Sequence, residues 1–148
     1  MNTYKAYKLR IYPTNLQREL IEKTFGCTRY IYNNFLAERK NKYEESKTKV
    51  HVYEQLKELT DLKREKEWLR EIDSCALQAC VYNLDAAFQG FFHGKGYPKF
   101  RAKGVHESFR TNNTLNTYKN KKYESIRIDF NKRIITLPKL KEVKFRGY

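Results

Sequence analysis

Cysteine is scarce in this chain. Its three residues, Cys27, Cys75 and Cys80, are odd in number, show no CxxC spacing and sit in helical patterns beside apolar side chains. That excludes a thiol-built zinc site and a disulfide framework, and predicts buried free thiols in a reducing cytoplasm. The three histidines (His51, His93, His106) are scattered, so spacing assembles no metal site and no cofactor is expected. There is no apolar run of spanning length, no signal or transit sequence and no lipidation box. Acidic residues are the last shortage: 17 Asp and Glu face 31 Lys and Arg, for a formal net charge of +14.

The excess is unevenly placed. Residues 1–50 carry net +6, residues 51–100 carry −1 and residues 101–148 carry +9. Basic ends around a neutral middle are most simply explained by a polyanion touching both ends. Nucleic acid fits better than an anionic membrane, which wants a basic helix with a continuous apolar face or a lipid anchor. At 148 residues the chain is one domain by size, with room for a sub-lobe.

Periodicity predicts the elements. Over Tyr4–Tyr12, Tyr7, Leu9 and Ile11 alternate with Lys8 and Arg10, which predicts a half-buried strand with a basic outer face. Pro13-Thr14-Asn15 turns and caps a helix carrying Leu16, Leu20, Ile21 and Phe25, with Gly26 as its C-cap. A second helix is predicted over about 28–45 on Tyr32, Leu36, Arg39 and Tyr43. A third carries Leu56, Leu59 and Leu62, with Trp68-Leu69 after it as an anchor. The fourth, capped by Asp73-Ser74, has the stripe Leu77, Val81, Leu84, Phe88 and Phe91/Phe92, which is core, and Gly94 ends it. Residues 112–123 read as loop. After them Ile126, Ile128 and Phe130, then Ile134–Leu137, then Val143 and Phe145 alternate with polar residues as two or three antiparallel strands.

An N-terminal strand cannot leave its backbone groups unpaired, and the only other strands lie at the far end. The helices are therefore an insertion into a small β unit, and the fold class is α+β. Between the two sits GKGYPKFRAKGVHESFR (94–110), where Tyr97, Phe100 and Phe109 interleave with Lys99, Arg101, Lys103 and Arg110. Cations neutralise phosphates and ring faces stack on bases, so this segment suits nucleic acid. It suits equally a solvated loop whose rings anchor it to a core.

The ordered blocks KAYKLRIYPT, FGCTRYIYN, YEQLKELT with WLREIDSCALQ, LDAAFQGFF, GYPKFRAK with SFR, and ITLPKLKEVKFR resemble the amino-terminal part of the TnpB/OrfB family across essentially the whole chain. That family comprises transposon-encoded RNA-guided nucleases. The resemblance implies a partial, oligonucleotide-binding-like antiparallel β-barrel (a wedge domain) over 1–13 and 95–148. It is interrupted over 14–94 by a helical recognition lobe of about four helices. It further implies partners in structured guide RNA and a transposon-adjacent DNA motif, no membrane partner and a cytoplasmic, nucleoid-associated location. The family's RuvC carboxylates and four-cysteine zinc ribbon have no counterpart here. Asp61, Asp73, Asp85 and Asp129 fall in caps, charged helical surface or a hairpin, so the expectation is a non-catalytic chain with no metal site.

On this reading Lys8, Arg10, Lys99, Arg101, Lys103 and Arg110 contact phosphates, and Tyr53, Ser74, Gln78, Thr111 and Asn112 are the candidates for reading bases. Ser74 and Gln78 share one helix face. The plain alternatives are an N-cap with solvated surface for that pair and a simple turn for Thr111-Asn112. The rival function is a stand-alone basic helix-turn-helix DNA-binding regulator, with 28–39 as recognition helix and Arg29, Asn33 and Asn34 turned outward.

Overall fold

Thr14 starts the longest element through a reciprocal cap. Its Oγ1 accepts from the Gln17 N–H at 3.2 Å, and the Gln17 side-chain oxygen accepts from the Thr14 N–H at 2.9 Å. In the computed structural model, which describes residues 2–147, helix α1 then runs unbroken over Asn15–Ser46. The two helices expected on either side of Gly26 are one. Its buried positions (Thr24, Cys27, Thr28, Ile31, Tyr32, Phe35, Leu36, Arg39) keep helical spacing straight past the glycine. Burial of that stripe outweighs a local propensity cost of about 1 kcal/mol.

Helix α2 spans Val52–Glu65, a 3₁₀ turn spans Glu67–Glu71, and helix α3 spans Ser74–Phe92. Among the described residues the α-helices therefore number three, not four. Asp73 caps α3, accepting from the Cys75 N–H at 3.0 Å. In the 3₁₀ turn the core anchor is Leu69, fully buried; Trp68 is 42% exposed and rests edge-on against Tyr30. These elements with residues 95–112 form one compact unit, Glu22–Asn112, whose core is Ile31, Phe35, Leu36, Leu69, Leu77, Val81 and Leu84.

The other unit comprises Met1–Ile21 and Asn113–Tyr148. Its strands are β1 (Arg10–Tyr12), β2 (Leu115–Tyr118), β3 (Lys121–Glu124), β4 (Arg127–Asp129), β5 (Ile134–Leu137) and β6 (Lys141–Arg146). The first strand is shorter than its alternation predicts, but it pairs antiparallel with β6, the last strand, as its backbone requires. Sheet order is β1-β6-β5-β4, with β2-β3 a separate hairpin. Among the described residues the strands do not close into a barrel: β1 and β4 are free edges of an open sheet. Met1 and Tyr148, the outer bounds of the barrel ranges 1–13 and 95–148, lie outside the described residues.

The hairpin corrects the expected loop over 112–123. Lys119 (φ 49°) and Asn120 (φ 64°) both take left-handed backbone, which makes the two-residue turn whose twist matches paired strands. Its strands are almost wholly exposed, so no hydrophobic alternation announces them.

Candidate nucleic-acid interface

Register decides what the four-stranded sheet presents. Ile11 faces Phe145 and Ile135 faces Val143, and Val143 and Phe145 are buried. The opposite face therefore looks outward. It carries Arg10 opposite Arg146 and Tyr12 opposite Lys144, then Ile134 and Thr136, then Arg127 and Asp129 on β4, with Glu142 at the start of β6. The guanidinium carbons of Arg10 and Arg146 lie 5.9 and 5.5 Å from the Tyr12 ring centre, and that of Arg127 lies 6.0 Å from Tyr123. Two arginines directly opposite each other repel. Cation–π contact with the ring between them offsets part of that repulsion. A polyanion would remove the rest.

Gln17 fixes this sheet from below. Its amide nitrogen donates to the backbone oxygens of Leu140 (3.0 Å) and Glu142 (2.6 Å), while Phe130 meets Phe145 and Tyr7 edge-on or tilted. Lys8 is exposed just ahead of β1.

The 95–112 segment belongs to the helical unit and divides its residues between two tasks. Tyr97 stands perpendicular to Phe88 and Phe91, at 5.6 and 5.0 Å; Pro98 is buried; Phe109 meets Phe25 at 5.8 Å. Arg101 anchors too. Its guanidinium lies 3.9 Å over the Tyr32 ring and its Nη1 lies 4.0 Å from the Cys80 sulfur. Its backbone N–H and C=O both bond the Asn33 side chain, at 2.8 and 3.0 Å. Burial pushes the Cys80 thiol up to about 11, so it is inert beneath that arginine. Lys99, Phe100, Lys103 and Arg110 point to solvent instead.

None of Lys8, Arg10, Lys99, Lys103, Arg110, Arg127, Lys144 and Arg146 joins a salt bridge among the described residues. The carboxylates pair elsewhere, within and between the helices, at the 3₁₀ turn and with Arg29 through Glu107. These cations are thus uncommitted, whereas Arg101, expected as a phosphate ligand, is held by Tyr32 and Asn33.

The base-reading candidates separate. The Thr111 hydroxyl donates to Asp73 Oδ2, which sets Asn112 beside the start of α3, where Ser74 and Gln78 are exposed one turn apart. Thr111 is thereby occupied as a strut, and Ser74, Gln78 and Asn112 remain together. Tyr53 stacks on His51 (5.1 Å, 26°). Its neighbours His51 and Val52 share a pocket with Gln89 and Phe92, roughly 23–27 Å along α3 from Ser74. In the rival recognition helix, Asn33 is consumed by Arg101 and Arg29 pairs with Glu107 at 3.3 Å, leaving Asn34 exposed. The sheet-face residues Tyr12, Arg127, Lys144 and Arg146 escaped the sequence reading. KEVKFR alternation put two of them on one face, but only the β1–β6 register joins them to Arg10.

Among the described residues no group of three or more His, Cys, Asp or Glu is placed to hold a metal ion, and no helix is long and apolar enough to cross a membrane. Unpaired cations and rings sharing one outward sheet face define the type of surface that nucleic-acid-binding proteins carry. Comparison with known proteins agrees with that class. Residues 1–48, here β1 and α1, match the helix-turn-helix domain of OrfB proteins. A Streptomyces pristinaespiralis protein bearing the name RNA-guided DNA endonuclease is 32% identical over 102 residues, covering 67% of this chain and 25% of that protein. Virulence protein VsdF of Salmonella dublin is 33% identical over 111 residues, 67% of this chain and 93% of VsdF. InsQ of Escherichia coli K12, also named an RNA-guided DNA endonuclease, is 26% identical across 99% of this chain and 35% of its own length. The chain belongs to the TnpB/OrfB family and corresponds to its amino-terminal region. It spans a quarter to about a third of the length of the two endonuclease-named relatives.

Proposed function

We propose that this chain is a non-catalytic nucleic-acid-binding region of a TnpB-type protein in the cytoplasm. It holds structured guide RNA and reads a short transposon-adjacent DNA motif. The observation that carries this reading is the outward sheet face, where Arg10, Tyr12, Lys144 and Arg146 stand together with no salt bridge to a carboxylate among the described residues. The unit built from both chain ends acts as the wedge, its four strands being part of an oligonucleotide-binding-like barrel, and the helical unit acts as the recognition lobe. Lys8 adds a phosphate contact on the sheet unit; on the helical unit Lys99, Lys103 and Arg110 form a phosphate track of their own, while Ser74, Gln78 and Asn112 at the start of α3 read base edges.

The test separates the two kinds of contact, since phosphates carry charge without sequence and base edges carry sequence without charge. Reversing Lys99, Lys103 and Arg110 to Glu should weaken binding of an RNA hairpin and of duplex DNA alike and flatten the salt dependence. Each lost contact removes about 0.7–0.9 from the slope of log K against log salt. Gln78→Ala or Asn112→Ala should keep the slope and relax preference at one base, costing roughly 1–3 kcal/mol for a bidentate contact. If the reversed variant binds both nucleic acids like the parent, the phosphate track is wrong. If Gln78 and Asn112 variants bind matched and scrambled duplexes like the parent, those residues are surface.

A further inference from the structure

At the C-terminal end of α3 lies a cavity of about 440 Å³ that the phosphate track and base readers do not use. Rings form its walls: Phe88, Phe91, Phe92, Tyr97 and Tyr43. Phe88 and Phe91 both stand near-perpendicular to Tyr97, which sets planar faces at right angles around the space. Arg39 lines it too, deeply buried. Its Nε bonds Gln55 and its Nη1 bonds Asp85, but its Nη2 has no hydrogen-bond partner among the described groups. Lys49 also lines the cavity and lies 5.2 Å over the Phe92 ring, and Lys47 lies 5.0 Å over Tyr43. The exposed amide of Gln89 completes the polar set. The acidic groups nearby are Asp85, neutralised by Arg39, and Glu44, close enough to Tyr97 to help burial push its phenol up.

We infer that this cavity takes an unstacked nucleobase from a single-stranded stretch of RNA, with Phe92 and Tyr97 as stacking faces, Lys49 on its phosphate and Arg39 lining the inner wall. The size is that of a small-ligand site. Planar walls suit a planar ring, and single-stranded RNA is recognised by bases splayed onto aromatic side chains. Charge favours a nucleotide over an apolar protein side chain: the lysines stand by rings rather than carboxylates, and the chain as a whole carries +14. The inference rests on the nucleic-acid reading of the chain and adds to it a separate subsite.

The test uses the full chain and a single-stranded 15-nucleotide RNA with one 4-thiouridine. Photocrosslinks should map to Phe92, Tyr97 or Tyr43. Phe92→Ala, at a 56% exposed position that leaves the core intact, should weaken binding about 5- to 100-fold with an unchanged salt slope. Lys49→Ala, also exposed, should lower the slope by about one phosphate contact. If wild-type chain binds the RNA but crosslinks map only elsewhere and Phe92→Ala binds like wild type, the subsite is overturned. The nucleic-acid reading then stands and the cavity falls to an apolar protein side chain. If wild type fails to bind RNA at any salt concentration, both fall.

Discussion

Replacing Asp85 by Asn should cost the helical unit about 2–3 kcal/mol. The side chain keeps its shape, but it loses the charge that neutralises Arg39. That arginine is 8% exposed, with Nη1 3.0 Å from Asp85, Nε 2.8 Å from the Gln55 amide oxygen and its guanidinium 5.1 Å over Phe88. Gln55 is itself fully buried and passes the network on to the Phe35 backbone oxygen at 3.1 Å. One cation thus joins α1, α2 and α3. Removing a single partner of a buried pair strands the other charge, at about 3–5 kcal/mol. The figure is trimmed here because Asp85 keeps a quarter of its exposure. Against a total stability of about 5–15 kcal/mol the loss is large. Trp68, the single tryptophan, lies in the helical unit and reports on it alone. Urea titrations followed by its fluorescence should show a lower midpoint at unchanged slope. Adding Arg39→Met to Asp85→Asn should cost less than the two changes separately, since the uncompensated charge goes with it. A midpoint for Asp85→Asn within about 0.5 kcal/mol of the parent, or strict additivity of the pair, refutes the reasoning.

Two further outcomes follow from particular contacts. Burial, a hydrogen bond that the protonated carboxyl donates to Glu38 and that neighbour's charge push the Glu58 carboxyl up to about 7, while Lys42 offsets them. A raised acid favours the fold in its protonated form. Its contribution is therefore complete below the ordinary value of 4.5 and lost as pH rises through about 7. Glu58→Gln should flatten that decline and stabilise the helical unit at pH 8 by on the order of 1 kcal/mol after solvent screening; parallel stability–pH curves contradict it. Gly26→Ala should stabilise α1 by about 0.5–1 kcal/mol, because the new methyl meets only Arg29 Nη2 at 3.8 Å and the backbone there is helical. A lowered Trp68 midpoint would show that the glycine is needed for close approach.

The sequence made the α+β class legible through one argument, that an orphan N-terminal strand needs a partner, and the β1–β6 ladder answers it. Caps were equally plain: Thr14 with Gln17 and Asp73 with Cys75 act as their residue types direct. Gly26 misled because local propensity says nothing of the buried stripe that carries a helix across it. The β2–β3 hairpin was hidden because neither strand is buried and its turn relies on Lys119 and Asn120 in left-handed backbone. In the 94–110 segment Tyr97, Pro98, Arg101 and Phe109 anchor the chain to the core, while Lys99, Phe100, Lys103 and Arg110 face solvent. Which arginine does which depends on Tyr32 and Asn33, some seventy residues away in sequence, and no local pattern encodes that. The outward sheet face needed register, which is a property of pairing between chain ends.

The most direct measurement is the salt dependence of RNA-hairpin binding for the Arg10→Ala/Arg146→Ala double variant against the parent. The substitutions relieve repulsion between facing cations, so the sheet should keep its stability and any change belongs to binding. With two phosphate contacts gone, the slope of log K against log salt should become shallower by about 1.4–1.8. A slope and affinity equal to the parent's would mean that the outward face meets no nucleic acid, and would contradict the account.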